Sequence, residues 1–395
     1  MIDITKLYCH RNTLADGLRY GEEGKNHPHR FKQQKKASER RPVVVWNITR
    51  RCNLQCIHCY SDSKNINYPD ELTTDQAMAV IDDLAALQVP AILFSGGEPL
   101  YRKDLFQLTD YARQKGLRFV LSTNGTLINQ HTAEKIKQAG FSYVGISLDG
   151  IGPINDQFRG QKGSFDLTMA AFKNLKALQQ RVGLRMTLTR HNINNLEDIF
   201  DFIEAENIDR ACFYHLAYSG RGHQSIDISK EDTRNALDII LKRTRDFHNR
   251  NLPIDILTVD NHVDGIYLYL KLLKENPAKA QQTYKMLCWN GGGLYSSGVG
   301  IGAIDPEGNV HPDQFWQHYN LGNVKNRKFS DIWFDSSDPL MKGLKDRQTY
   351  IKGKCAHCKW FEACGGSLRV RADKFYNDPW QEDPACYLKD NEISS

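Results

Sequence analysis

A chain of 395 residues with 40% hydrophobic and 25% charged side chains has the make-up of an ordinary globular protein, long enough for two or three domains. No apolar run reaches the length needed to span a bilayer, and the stretch Met1–Leu7 lacks the basic-then-apolar layout of a signal peptide, so a cytoplasmic protein without membrane association is expected. The net charge of +5 is confined to residues 1–41, which hold ten Lys or Arg against five Asp or Glu. A solvated arm and a flap over a polyanionic substrate both fit that extension; without interleaved aromatics it makes no case for nucleic acid.

From residue 42 to about 216, short β-rich runs alternate with amphipathic helical patterns, as in consecutive parallel βα units. The predicted strands are Val43–Ile48, Ala91–Phe94, Arg118–Ser122, Tyr143–Leu148, Gly183–Leu188 and Ala211–Leu216. Helical spacing marks Thr74–Gln88, Lys103–Lys115, Gln130–Ala139, Phe165–Gln179 and Leu196–Glu204 between them. Six such units predict an α/β partial (β/α)6 barrel, although an open flavodoxin-like sheet gives the same alternation. Residues 228–287 read as a helical bridge, with Lys230–Asn249 and Val263–Lys274 as helices and Pro253 and Pro277 as punctuation. After Cys288, clustered glycines and the Asp305–Val310 turn predict a hairpin unit, so 288–395 is set apart as a small C-terminal domain.

Ten cysteines in a chain expected to be cytoplasmic argue for metal rather than disulfides. Cys52, Cys56 and Cys59 form a Cys-x3-Cys-x2-Cys triplet directly after the first strand. A four-iron cluster is normally held by four cysteines, so three leave one iron free for a non-protein ligand. Structural zinc is the alternative; it usually requires a second ligand pair, and only His58 stands nearby. Strand ends downstream carry Ser95–Pro99 with Gly96, Gly97 and Glu98, then Asn124-Gly125, then Ser147 and Asp149. Glycines permit close backbone approach and Glu98 offers an acceptor for an ammonium group. Cys355, Cys358, Cys364 and Cys386 supply four thiolates near the C-terminus, enough for a fully protein-ligated cluster or for zinc.

The triplet, its position after a strand and the order of these polar elements resemble the radical S-adenosylmethionine (SAM) enzymes. That resemblance implies a [4Fe–4S] cluster on Cys52, Cys56 and Cys59, and SAM contacts from Tyr60, Gly96, Gly97, Glu98, Asn124, Ser147 and Asp149, with Arg159, Arg185 and Thr187 as further candidates. It also implies a 5′-deoxyadenosyl radical that abstracts hydrogen. The C-terminal quartet resembles a SPASM or twitch domain and implies one auxiliary [4Fe–4S] cluster; Asp313 and Leu368 stand where the full SPASM pattern has cysteines, and Cys288 is expected to be a free thiol.

Further segments, among them Val43–Cys52, Phe213–Gly222, His311–Trp316, Leu321–Val324, Leu368–Ala372 and Asp383–Tyr387, resemble the heme-biosynthesis branch acting on siroheme-derived tetrapyrroles. The reaction this implies is removal of two acetate side chains from 12,18-didecarboxysiroheme to give Fe-coproporphyrin III. Replacement of propionates by oxo groups on the way to heme d1 is the alternative, with coproheme decarboxylation or peptide modification behind it. The partners implied are an iron tetrapyrrole and a low-potential donor such as flavodoxin or ferredoxin. Arg19, Arg30, Arg221, Arg369 and Arg371 are candidate carboxylate contacts, though Arg369 and Arg371 also read as alternating along a strand. His215, His223, His311 and His318 are candidate axial or proton-handling groups.

Overall fold

The computed structural model describes residues 1–11 and 36–394, so Arg19 and Arg30 lie outside the described residues. All six predicted strands form, within a residue or so at each end, as β2 (Val43–Asn47), β3 (Ile92–Ser95), β4 (Phe119–Thr123), β5 (Val144–Ser147), β6 (Val182–Leu188) and β7 (Arg210–His215). They pair in parallel and in sequential order. Val44, Trp46, Ile92, Phe94, Leu121, Ile146, Leu184 and Phe213 are buried completely, the apolar filling that strands covered on both faces require.

Intervening helices begin and end where local chemistry dictates. Thr73 and Gln76 form a reciprocal capping box that starts Thr74–Leu87. Asn129 caps Gln130–Ala139, which Gly140 ends at φ 85°. Buried Ala77, Val80, Ile81 and Leu84 line the inner stripe of the first of these helices.

The sheet is longer than the six predicted strands. Residues 228–287 include β8 (Asp255–Val259), which pairs in parallel with β7; a five-residue strand between two long helices is masked by its neighbours' periodicity. On its far side β8 pairs antiparallel with β1 (Ile2–Asp3). Pro277 opens the helix Pro277–Asn290 rather than ending one, its fixed φ and missing N–H suiting a first helical turn.

At the other end, β9 (Ile301–Ile304) of the predicted glycine-rich hairpin pairs in parallel with β2, followed antiparallel by β10 (Asn309–His311) and β11 (Gly322–Asn323). The result among the described residues is one eleven-stranded open sheet, in the order β1-β8-β7-β6-β5-β4-β3-β2-β9-β10-β11. The C-terminal unit therefore grows directly out of the barrel's first strand.

It is also fastened at the far end. Arg371, fully buried, binds both oxygens of Asp383 at 2.9 and 2.7 Å and donates to Leu216 O and Asp260 O, the chain just beyond β7 and β8. Arg369 is equally buried and donates to the carbonyls of Pro379, Gln381 and Gly366. Both lie on the helix Arg369–Tyr376, not on a strand, and neither is free to meet a substrate carboxylate. Among the described residues no helix is long and apolar enough to cross a membrane.

Candidate active site and cluster sites

The triplet loop leaves the C-terminal end of β2 and is pinned from three directions. Cys52 N donates to Lys64 O, Gln55 N and Ile57 N donate to Arg159 O and Phe158 O, and Arg221 donates through its N and Nε to Cys59 O and Cys56 O. Cys52 and Cys56 are buried around Leu54 with Cys59 packed against them. Burial pushes the Cys52 thiol up to about 12 and raises Cys56, with Arg159 Nη1 at 3.5 Å from Cys56 Sγ working the other way. Thiols so placed become thiolates readily only against a metal. Arg221 also pairs with Asp62 at 2.7 Å, so it braces this loop instead of waiting for a substrate carboxylate.

The Gly-Gly-Glu turn after β3 is zipped to the same loop. Gly97 N donates to Thr49 O at 2.8 Å and Glu98 N to Arg51 O at 2.9 Å. A Cβ on Gly96, whose φ is +138°, would stand 2.3 Å from Thr49 O, and one on Gly97 2.4 Å from Arg51 O. The glycines thus admit the protein's own cluster loop at close range. Glu98 is fully buried and accepts from Thr123 Oγ1, Asn124 N and Leu100 N at 2.8, 2.8 and 3.2 Å. Its side chain latches β3 to β4 rather than standing open to an ammonium group. Burial outweighs these donors and holds its carboxyl at about 7. Asn124 reaches the triplet from β4: Nδ2 lies 3.8 Å from Cys52 Sγ and 3.0 Å from Asn53 Oδ1.

Beside the loop, the strand C-terminal ends enclose a cavity. Tyr60, Ser147 and Asp149 line it, as do Arg159, Arg185 and Thr187. Tyr60 Oη is tied to Asn47 Oδ1 at 2.9 Å and Ser95 Oγ at 3.1 Å, with its ring edge-on to Phe315. Asp149 accepts from Thr187 N at 2.7 Å and pairs with Arg159, joining the cavity wall to the Cys56 thiol. Nδ1 of His58 and Nε of both Arg159 and Arg185 are buried without a partner. A cavity carrying unspent donors and a neighbouring thiol trio fits a polar, zwitterionic ligand beside a metal cluster. His58 faces this cavity with its imidazole lowered to about 4 by burial, which keeps it neutral.

Asp260 and Phe315 are among the cavity residues to which the sequence motifs assign no role. Asp260 follows the unpredicted strand β8, and its carboxyl is raised to about 6 by burial; Phe315 follows the hairpin. Recognising the β-rich alternation of 254–259 would have placed Asp260 at a strand end. Of the proposed histidines, His215 lines the cavity. His311 is buried against Tyr319 O and Asp305, His318 stacks on Trp316 and pairs with Asp373, and His223 is exposed in a loop; none of these three lines it.

The four C-terminal cysteines line one small apolar cavity with Trp360, Phe361 and Leu388. Fully buried Arg347 and Arg369 lie close by, and Arg347 is depressed to about 9 by burial and by Arg369, with Cys364 and Cys355 opposing. Nε and Nη2 of Arg347 and Nε of Arg369 have no partner. Buried cations with spare N–H groups favour an anionic occupant, as a four-thiolate cluster is. Asp313 is buried and held by Ser297 Oγ and Phe315 N, and Leu368 is buried in the apolar core, so neither position offers a thiolate. Cys288 is a half-buried thiol on Pro277–Asn290, hydrogen-bonded with Tyr284; Cys212 is packed inside β7. Among the described residues no three His, Cys, Asp or Glu side chains form a single-ion site.

Residues 46–203 match the model of the radical SAM superfamily, and residues 300–359 match that of the SPASM iron–sulfur cluster-binding domain. Over its whole length the chain is 52% identical to Fe-coproporphyrin III synthase of Methanosarcina barkeri, covering 99% of that protein. It is 41% identical to pre-heme d1 synthase of Dinoroseobacter shibae, over 88% of this chain and 86% of the relative. Among solved structures, SuiB of Streptococcus suis bound to S-adenosylmethionine superposes with a TM-score of 0.68 over 88% of this chain and 78% of that one, at 18% identity, a likeness of fold.

Proposed function

Because the chain belongs to the radical SAM superfamily and to its heme-biosynthesis branch, we propose that it converts didecarboxysiroheme to Fe-coproporphyrin III by removing two acetate side chains. The observation carrying this reading is the full-length match to Fe-coproporphyrin III synthase, which exceeds that to pre-heme d1 synthase in both identity and coverage. SAM and [4Fe–4S] clusters are its cofactors. In the proposed arrangement Cys52, Cys56 and Cys59 hold the SAM-cleaving cluster, and Cys355, Cys358, Cys364 and Cys386 hold one auxiliary cluster. The proposed division is a barrel core over 42–227, a bridge over 228–287 that also donates β8, and an auxiliary-cluster unit over 288–395, with 1–41 as a basic extension.

When bound, the reduced cluster and SAM supply a carbon radical that abstracts hydrogen from the substrate. The residues' part is placement and exclusion. Asn124 and Arg159 approach two of the three cysteines, and Arg159 also lines the cavity, so one side chain is shared between the cavity wall and the loop carrying the thiols. Ser147, Asp149 and Tyr60 are proposed to orient SAM, while Gly96, Gly97 and Glu98 act through the backbone turn. Phe315, Leu216 and Ala217 give the cavity an apolar wall suited to a macrocycle and hostile to water. A low-potential carrier such as flavodoxin or ferredoxin would deliver the electron.

The test is anaerobic incubation of reconstituted protein with didecarboxysiroheme, SAM and reductant, followed by mass spectrometry. Loss of two acetates supports the proposal. Loss of propionates with oxygen incorporated assigns heme d1 chemistry, and an unchanged tetrapyrrole refutes both.

A further inference from the structure

His215 closes β7 and borders the cavity beside Leu216, Ala217 and Asp260. Its Nε2 lies 2.8 Å from Asp264 Oδ2, and Tyr387 Oη donates to Asp264 Oδ1 at 2.7 Å. Asp264 is fully buried on the first turn of Val263–Glu275, 49 residues further along the chain than His215. A carboxylate that already receives one hydroxyl acts as an acceptor, so the imidazole proton sits on Nε2 and the Nδ1 lone pair is free. Among the described residues no hydrogen bond is made to Nδ1, while the ring faces the cavity.

A buried carboxylate is costly unless its partners repay it. Holding one imidazole nitrogen so that the other presents its lone pair is the arrangement by which proteins orient a histidine toward a metal. We propose that His215 Nδ1 is an axial ligand to the iron of the tetrapyrrole substrate, with Asp264 and Tyr387 as positioning residues. This rests on the tetrapyrrole reading above. It also gives the C-terminal unit a direct role in the barrel: Tyr387 follows Cys386, so the segment carrying an auxiliary-cluster cysteine sets the direction of the imidazole.

The probes are ferric coproporphyrin III and metal-free coproporphyrin III, titrated anaerobically into the reconstituted enzyme carrying 15N-histidine. Wild type should bind the ferric form about 10- to 100-fold more tightly than the metal-free form, and the ferric signal should carry 15N hyperfine coupling. His215→Gly should abolish both the preference and the coupling while keeping metal-free binding, and added imidazole should restore the preference. Asp264→Asn, which retains the ring, should shift the ferric signal with metal-free binding unchanged; it also serves if His215→Gly does not fold. Coupling that survives in His215→Gly overturns the assignment of His215 and leaves the tetrapyrrole reading standing. Failure of wild type to bind either porphyrin overturns both.

Discussion

Gly97→Ala tests how the Gly-Gly-Glu turn after β3 and the cluster loop are built together. The added Cβ would stand 2.4 Å from Arg51 O, 2.5 Å from Arg50 O and 2.7 Å from Arg51 C, all backbone atoms that cannot rotate away. Ordinary contact at about 3.4 Å requires the two loops to part by about 1 Å. They are joined by Gly97 N to Thr49 O at 2.8 Å and Glu98 N to Arg51 O at 2.9 Å, and a further 1 Å takes both beyond hydrogen-bonding reach. Two backbone donors left wanting, plus overpacking, come to about 2–4 kcal/mol. The damage is local to residues 49–52, so the assay is iron content and the EPR spectrum of the reduced cluster with and without SAM, alongside thermal unfolding. Gly116→Ala is the control, since its φ is +75° but nothing lies within 4 Å of its Cβ position. Gly97→Ala should lose the SAM-induced change in the spectrum and melt lower, while Gly116→Ala keeps that change. A Gly97→Ala protein with wild-type spectra and melting would refute the idea that the glycines exist for this contact.

Arg371→Met leaves Asp383 buried without its cation and should destabilise the protein by about 3–5 kcal/mol in denaturant unfolding, far more than the exposed pair Arg113–Asp110. Glu98 binds its proton more tightly in the folded chain than in the unfolded one, so its contribution to stability should fall as pH rises through the window from 4.5 to about 7. Thermal midpoints of wild type against Glu98→Gln across that window should converge at the acid end. Cys355→Ser should roughly halve the iron bound per chain, from about eight to about four, while the SAM-sensitive EPR signal of the first cluster persists.

Local motifs were the legible part of this molecule. The triplet, the glycine turn after β3 and the polar residues after β4 and β5 are contiguous in sequence, and the structure assembles them around one loop and one cavity. Partnership across distance was not legible. Glu98 reads as a ligand acceptor until Thr123 and Asn124 are seen to occupy it, and Arg369 and Arg371 read as substrate-carboxylate contacts until their burial against Asp383 and backbone carbonyls is known. The helical periodicity around β8 hid a strand whose end supplies Asp260, and nothing local pairs His215 with Asp264.

Counting the leaving fragment tests the central claim most directly. Didecarboxysiroheme labelled with 13C in its two acetate groups would be turned over anaerobically, and released label, 5′-deoxyadenosine and porphyrin quantified together. The account predicts two labelled two-carbon fragments for each Fe-coproporphyrin III formed, with deoxyadenosine rising in step. Label retained on a macrocycle that has lost propionates, or a tetrapyrrole unchanged while deoxyadenosine accumulates, would contradict it.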